Sequence, residues 1–161
     1  MARVKRSQVA TYVNATGVAT STGTVYSLLG VGVASGAASM NPKTTEETYI
    51  HQDTATISVD AYAPTLPVEM TAYTEDAIFS WLDGIRVARA VGSAAETYLV
   101  EARFYQTSAA SAYPATKQMV SVQVDNALGG DGGSPAKVSF TFNYMGDPVQ
   151  GSFNPTTKVF S

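Results

Sequence analysis

The 161-residue chain contains no cysteine and few charged residues. Without cysteine it can form neither disulfides nor thiolate metal sites, and it has no cysteine nucleophile. Charged residues make up 14% of the chain, whereas about 25% is typical of soluble domains. The ten Lys and Arg residues are scattered apart from three near the start. This pattern disfavours a nucleic-acid-binding protein, because neutralising phosphates requires clustered cations.

The sequence also lacks a long hydrophobic run. The longest weakly polar stretch, 25–38, is interrupted by three glycines and is shorter than the roughly 20 apolar residues of a membrane-spanning helix. The basic start, residues 1–6, is not followed by the apolar region of a secretory signal. We therefore expect a soluble cytosolic product with no membrane partner and with a flexible N-terminal arm over about residues 1–8.

Alternation of apolar and polar residues predicts six to eight β-strands. In 56–62, Ile57, Val59 and Ala61 share one face, and in 97–105 both faces carry bulky side chains. Other strands are expected near 9–13, 24–33, 68–72, 120–124, 138–144 and 149–153, with turns at 17–23 and 146–148 and a corner at Pro64 and Pro67. One domain over 1–161 is predicted, mainly β, as a β-sandwich or half-barrel with one flanking α-helix.

One segment has a clear helical pattern. Its large apolar residues recur at the spacing of a single helix face, which predicts a core helix packed on the sheet. These residues are Ile78, Trp81, Leu82 and Ile85. Thr74 is the predicted N-cap, and Gly84 or Gly92 is predicted to end the helix. This placement favours a core role for Trp81 over a sugar-binding platform.

The candidate catalytic residues are few and poorly arranged. His51 is the single histidine, so any Ser-His-Asp triad or histidine-ligated metal would have to use it. Its neighbours show no metal-ligand spacing, which favours a loop or interface role. Four carboxylates lie on polar sides of predicted strands and could pair as in glycosidases, although solvated strand faces are commoner: Asp60, Glu69, Glu96 and Glu101. The sequence therefore predicts no catalytic, cofactor or metal site.

Two connections are long. The segment 35–53 is polar and Thr-rich, and loops beyond about 12–15 residues in a compact domain are usually functional or disordered. The segment 127–135 is glycine-rich and is predicted to be a flexible connector.

Three runs carry a recognisable order of strand, corner and helix: Asn-Pro-Lys-Thr-Thr-Glu-Glu-Thr-Tyr-Ile-His-Gln-Asp at 41–53, Ser-Val-Asp-Ala-Tyr-Ala-Pro-Thr-Leu-Pro-Val-Glu at 58–69, and Asp-Ala-Ile-Phe-Ser-Trp-Leu at 76–82. Over 41–105 the chain resembles the major tail (tail tube) proteins of long-tailed bacteriophages, and its flanks do so only in general pattern. The resemblance implies a β-sandwich with one flanking helix. It also implies hexameric rings whose inner strands join into a barrel and which stack into a conduit for genome delivery. Bacterial type VI secretion tubes are similar in fold.

The resemblance further implies a non-enzymatic subunit of the virion tail, made in the host cytoplasm and without a cofactor. Its partners would be copies of itself, the tape-measure protein and other tail proteins, with DNA passing transiently and without specific binding. Subunit or ring contacts are expected at Asn41, Pro42, Lys43, Thr44, Thr45, Glu46, Glu47, Thr48, Tyr49, Ile50 and His51. The alternative is a β-sandwich carbohydrate-binding or adhesion module of a virion or cell surface, which would expose aromatic side chains on one sheet face and remain monomeric.

Overall fold

The computed structural model describes residues 1, 3–17, 25–107 and 109–161. The strands are β1 (Val9–Val13), β2 (Ser27–Leu28), β3 (Val33–Gly36), β4 (Pro42–Glu47), β5 (Thr56–Tyr62), β6 (Thr65–Thr71), β7 (Glu96–Arg103), β8 (Tyr113–Gly129), β9 (Lys137–Asn154) and β10 (Val159–Phe160), and the α-helix is α1 (Ala77–Ala88). Short 3-10 turns occupy Arg6–Gln8 and Gly92–Ala95.

A single curled sheet forms the body of the molecule. Its strand order is β2-β1-β7-β8-β9-β6-β3, and the short strand β10 pairs with β9 in addition. The pairings are antiparallel throughout these strands. Strands β4 and β5 form a separate two-stranded sheet. The predicted mainly β half-barrel with one flanking helix is confirmed, with one curled sheet in place of two packed ones.

The main core lies between α1 and the facing side of the sheet. Phe140 and Phe142 alternate along β9, are almost completely buried, and meet edge to face with ring centroids 5.2 Å apart. The register places Leu66 beside Phe142 and Val68 beside Phe140 on β6. Period-2 alternation on β6 and β9 therefore builds one apolar face, and burying that face is the main driving force for folding.

Both ends of α1 differ from the sequence prediction. Asp76, and not Thr74, is the N-cap, and its side chain accepts a hydrogen bond of 3.2 Å from the backbone N–H of Ile78. A carboxylate here satisfies a free N–H group and also complements the positive end of the helix dipole. The helix continues through Gly84 and ends at Arg89, whose φ of 49° is left-handed.

The four apolar residues of the predicted helix face are not equally buried. Ile78, Leu82 and Ile85 are buried in the main core. Trp81 is partly buried and packs against the rim of the same cluster. A large aromatic ring at such a rim still removes much apolar surface from water.

Trp81→Ala is expected to lower the free energy of unfolding by about 3 kcal/mol, the low end of the range for truncating a large aromatic side chain. The ring lies at the edge of the core, which limits the cavity left behind. Val87→Ala on the exposed side of α1 is the matched control and should change stability by less than about 0.5 kcal/mol. Equal urea midpoints for Trp81→Ala and the wild type would place the ring in solvent and support a binding platform.

Strand β7 is covered on both faces, as its bulky residues suggested. Leu99 belongs to the main core, whereas Val100 and Ala102 belong to a second apolar cluster on the opposite face. That cluster also contains Tyr12, Tyr26, Ala115 and Phe153, with Phe160 of β10 packed against it. The tilted rings of Tyr12 and Phe153 have centroids 4.3 Å apart.

Several predicted boundaries change in the structure. The predicted strand 24–33 is divided by a turn into β2 and β3. The predicted turn 17–23 and the first residue of the predicted strand fall largely on residues 18–24, which lie outside the described residues. The predicted corner at Pro64 and Pro67 is wrong at its second proline, because Pro67 lies inside β6 opposite Thr141. The glycine-rich connector is shorter than predicted, since β8 continues to Gly129.

The predicted turn at 146–148 is a bulge inside β9. The register of β8 against β9 shifts here, since Lys117 lies opposite Val149, whereas Met119 lies opposite Met145. Gly146 has a φ of 63°, and its carbonyl accepts a 2.7 Å hydrogen bond from the Gln118 side chain. Strand β9 therefore continues past turn-forming residues because β8 remains paired on both sides of them.

Candidate assembly surface

The segment predicted as one polar loop, 35–53, is not a loop. It contains the end of β3, the whole of β4 and most of the turn to β5, so residues 42–62 form a β-hairpin. Within the described residues, the hairpin pairs with no strand of the main sheet. Every residue of β4 and β5 is exposed. It is thus an ordered element that makes few contacts with the body of its own chain.

Local sequence explains why the hairpin forms. Strands β4 and β5 are rich in the β-branched residues Thr, Ile and Val, which favour extended backbone. At its base, Asn41 adopts a left-handed φ of 43°, and its side chain donates a 3.0 Å hydrogen bond to the carbonyl of Ala63. Asparagine tolerates this conformation better than most residues. Ser39 and Thr65 form a further bridge next to the main sheet.

The turn of the hairpin is stabilised by local contacts. The N–H of Gln52 donates a 2.9 Å hydrogen bond to the carbonyl of Tyr49. The Tyr49 hydroxyl donates to Glu47 over 2.7 Å, and this bond raises the pKa of Tyr49, with a smaller contribution from desolvation. The rings of Tyr49 and His51 stack with centroids 6.1 Å apart. His51 is therefore a turn residue packed beside a tyrosine.

One face of the hairpin is polar. Asp60 accepts hydrogen bonds from Thr45 and, over 3.1 Å, from Ser58. A register shift between Lys43 and Thr44 accompanies this arrangement. Asp60 is thus used in hydrogen bonds within the hairpin.

The other face is apolar along β5. The side chains of Ile57 and Val59 are 66% and 53% exposed, and their cross-strand partners are Glu46 and Thr44. We call Ile57, Val59 and these two partners the apolar hairpin face. A two-stranded hairpin alone is marginally stable in water, and grouped exposed apolar side chains mark interaction sites. The apolar hairpin face is therefore a candidate interaction surface.

The predicted contact residues and the observed surface overlap only in part. In the structure, residues 41–51 lie at the hairpin base, along β4 and in the turn. Their role in subunit contacts stays a prediction. The sequence prediction placed Ile57 and Val59 on one strand face but did not include them among the contact residues. The β-branched residues Thr44 and Thr45 were the available signal that this segment is a strand.

The other candidate groups do not converge on a single site. Glu69 forms a 2.9 Å ion pair with Lys137 on the sheet face opposite α1. Glu101 lies near Tyr144, and burial together with this carboxylate raises the pKa of the Tyr144 hydroxyl to about 12. Among the described residues, no group of three or more His, Cys, Asp or Glu side chains is placed to hold a metal ion. The described part of the chain has no helix that is both long and apolar enough to cross a membrane.

Comparisons with known proteins assign no family to this chain. A scan of protein-family models found no match, and a search of curated proteins found no significant one. A solved structure described as the cryo-EM structure of the anti-feeding prophage (AFP) baseplate, 6-fold symmetrised, matches with a TM-score of 0.49 and 9% sequence identity. The match covers 93% of this chain and 97% of that one. A similarity of this size establishes neither a common family nor a common function.

Proposed function

We propose that this protein is a structural subunit of a phage tail tube that polymerises as stacked hexameric rings and forms the conduit for genome delivery. The observation that carries the proposal is the β4–β5 hairpin, which exposes Ile57 and Val59 on one face. The resemblance of residues 41–105 to tail tube proteins supplies the identity of the assembly. The hairpin lies in the part of the chain that carries this resemblance.

Self-assembly would stabilise the hairpin, which is only marginally stable on its own. Packing its apolar face against another subunit would bury surface at a gain of about 25 cal/mol per Å². The low charge content of the chain fits extensive contact with other subunits, because charged residues are depleted at the centres of interfaces. Binding to neighbours also covers strand edges that would otherwise promote uncontrolled aggregation.

The sheet face opposite α1 is suited to passing DNA without holding it. Over β6, β9 and residues 121–125 it carries Ser, Thr, Asn and Gln side chains together with Glu69, Asp125 and Lys137. Lys137 is neutralised by Glu69, and Asp125 accepts a hydrogen bond from Thr141. A face without clustered cations gives duplex DNA no salt-dependent attraction to overcome during transport.

Electron microscopy of the purified protein, combined with size-exclusion chromatography, tests the proposed assembly. Rings or tubes of uniform diameter are the expected result, with six subunits per ring. A monomer at all concentrations, with affinity for a glycan, would support the carbohydrate-binding or adhesion module instead. The exposed aromatic side chains Tyr49 and Tyr62 would then be the first positions to substitute.

We expect assembled protein to bind free duplex DNA weakly or not at all at about 100 mM salt, where the Debye length is about 10 Å. The net charge of −3 and the sparse cations are the physical reason. A mobility-shift titration measures this directly. Sub-micromolar affinity that falls steeply with salt would instead indicate a nucleic-acid-binding role for the basic N-terminal residues.

A further inference from the structure

The curled sheet leaves an open groove between its two ends. Strands β1 and β3, with the turn that joins β2 to β3, line a cavity of about 540 Å³. Its apolar lining is provided by Val9, Leu28, Leu29, Val33 and Phe104. Leu28 is 45% exposed. A large apolar side chain from outside could therefore enter the groove without displacing the core.

One cation lines this groove, and two more precede it closely in the chain. Arg6 lines the groove, and its guanidinium donates hydrogen bonds to the carbonyl oxygens of Val9 and, over 3.5 Å, Gly36. Arg3 and Lys5 precede it and are exposed. The ion pairs found among the described residues, Arg86 with Asp83 and Lys137 with Glu69, involve none of these three cations. The groove thus carries positive charge available to an acidic partner.

The hairpin has the opposite charge. Between positions 42 and 62, a single lysine accompanies four carboxylates: Glu46, Glu47, Asp53 and Asp60. Glu46 lies on the apolar hairpin face beside Ile57. The apolar hairpin face thus carries a carboxylate beside an apolar side chain, which complements an apolar groove lined by Arg6. Such complementarity guides association and fixes register.

We propose that the groove between β1 and β3 receives the apolar hairpin face of a second copy of this chain, with Glu46 against Arg3, Lys5 and Arg6. The inference rests on the proposed self-assembly and specifies its contact. In the part of one chain that the structure describes, the hairpin pairs with no strand of the main sheet, so its edges and faces remain available to a neighbour. Because hairpin and groove are different surfaces, the contact is heterologous and generates rings or filaments.

Charge reversal on each side tests this pairing. Lys5→Glu leaves the hydrogen bonds of Arg6 intact, and Glu46→Lys changes the apolar hairpin face by an equal and opposite charge without removing the hydrogen bond between Tyr49 and Glu47. Each variant alone should need about tenfold or more protein to assemble, as judged by sedimentation velocity, since like charges would then oppose each other. Mixing the two variants, or combining both substitutions in one chain, should restore assembly. Asp131→Lys, at an exposed position, is the control and should assemble normally.

A crosslinking measurement is independent of charge. Because the chain has no cysteine, Leu28→Cys with Ile57→Cys places one thiol in the groove and one on the apolar hairpin face. Mild oxidation should give a ladder of disulfide-linked chains. Leu28→Cys with Ser58→Cys, on the polar face, should give several-fold less.

The outcomes separate the contact from the assembly itself. If the wild type assembles and the charge variants do so equally well, the groove contact is wrong while self-assembly stands. If only the hairpin variant is affected, or if mixing restores nothing, the hairpin binds another surface. Equal crosslinking through Ser58 and Ile57 would likewise overturn the contact. A wild type that stays monomeric contradicts the proposed function together with the contact.

Discussion

Replacement of residues 42–62 by a two-residue Asn-Gly turn is expected to leave a folded monomer that cannot form rings or tubes. The hairpin contributes no buried residue to the cores, so its removal should change the melting temperature little. The ends are already adjacent, because the N–H of Ala63 donates a 3.3 Å hydrogen bond to the carbonyl of Asn41. Asn-Gly is the favoured sequence for a two-residue hairpin turn.

Two measurements check this result. Thermal unfolding monitored by circular dichroism should give one cooperative transition near that of the wild type, and light scattering should report a monomer where the wild type assembles. Ile57→Lys/Val59→Lys should reproduce the loss of assembly with the hairpin present. Thr45→Lys/Ser58→Lys on the polar face is its matched control and should have a smaller effect. Tubes of normal diameter formed by the shortened chain would exclude the hairpin from the essential contacts.

Phe142→Ala is expected to lower the free energy of unfolding by about 4 kcal/mol. Phe142 is fully buried, lies opposite Leu66 and Val122 in the flanking strands, and contacts Phe140 edge to face. Truncation therefore removes both apolar burial and an aromatic contact, and leaves a cavity at the middle of β9. Domains of this kind are stable by only about 5–15 kcal/mol, so a large part of the total would be lost.

Urea unfolding of the monomeric chain shortened at the hairpin measures this effect without interference from assembly. Val149→Ala is the control on the same strand, because Val149 is exposed, and it should shift the free energy of unfolding by less than about 0.5 kcal/mol. A similar loss for both variants would show that the apolar face of β9 is not the centre of the core.

The elements of the fold could be predicted where the signal is local. The apolar helix face could be predicted because the spacing of its residues depends only on neighbouring turns of one helix. The cap was misplaced by two residues, since Thr74 and Asp76 can both accept an N–H and only the structure shows which one does. Strand β9 was predicted as two strands, because Gly146, Asp147 and Pro148 favour a turn when read alone. Its continuous pairing with β8 depends on residues about 30 positions away.

The candidate surface could be predicted only in part for a similar reason. Alternation in β5 indicates that Ile57 and Val59 share a face, but it does not indicate whether anything covers that face. In this chain the body leaves it uncovered. The polarity of residues 41–51 suggested a loop, whereas the structure pairs β4 with β5 there.

The position of Trp81 offers a way to observe folding and assembly separately. It is the single tryptophan of the chain and packs at the rim of the main core, while the aromatic residues of the hairpin are Tyr49 and Tyr62. Tryptophan emission excited near the red edge of the absorption band would therefore report on the body of each subunit and would be nearly silent to hairpin docking. A dye attached at a cysteine introduced in the hairpin would report on docking alone. Two optical signals from one sample could then separate folding of the body from association through the hairpin.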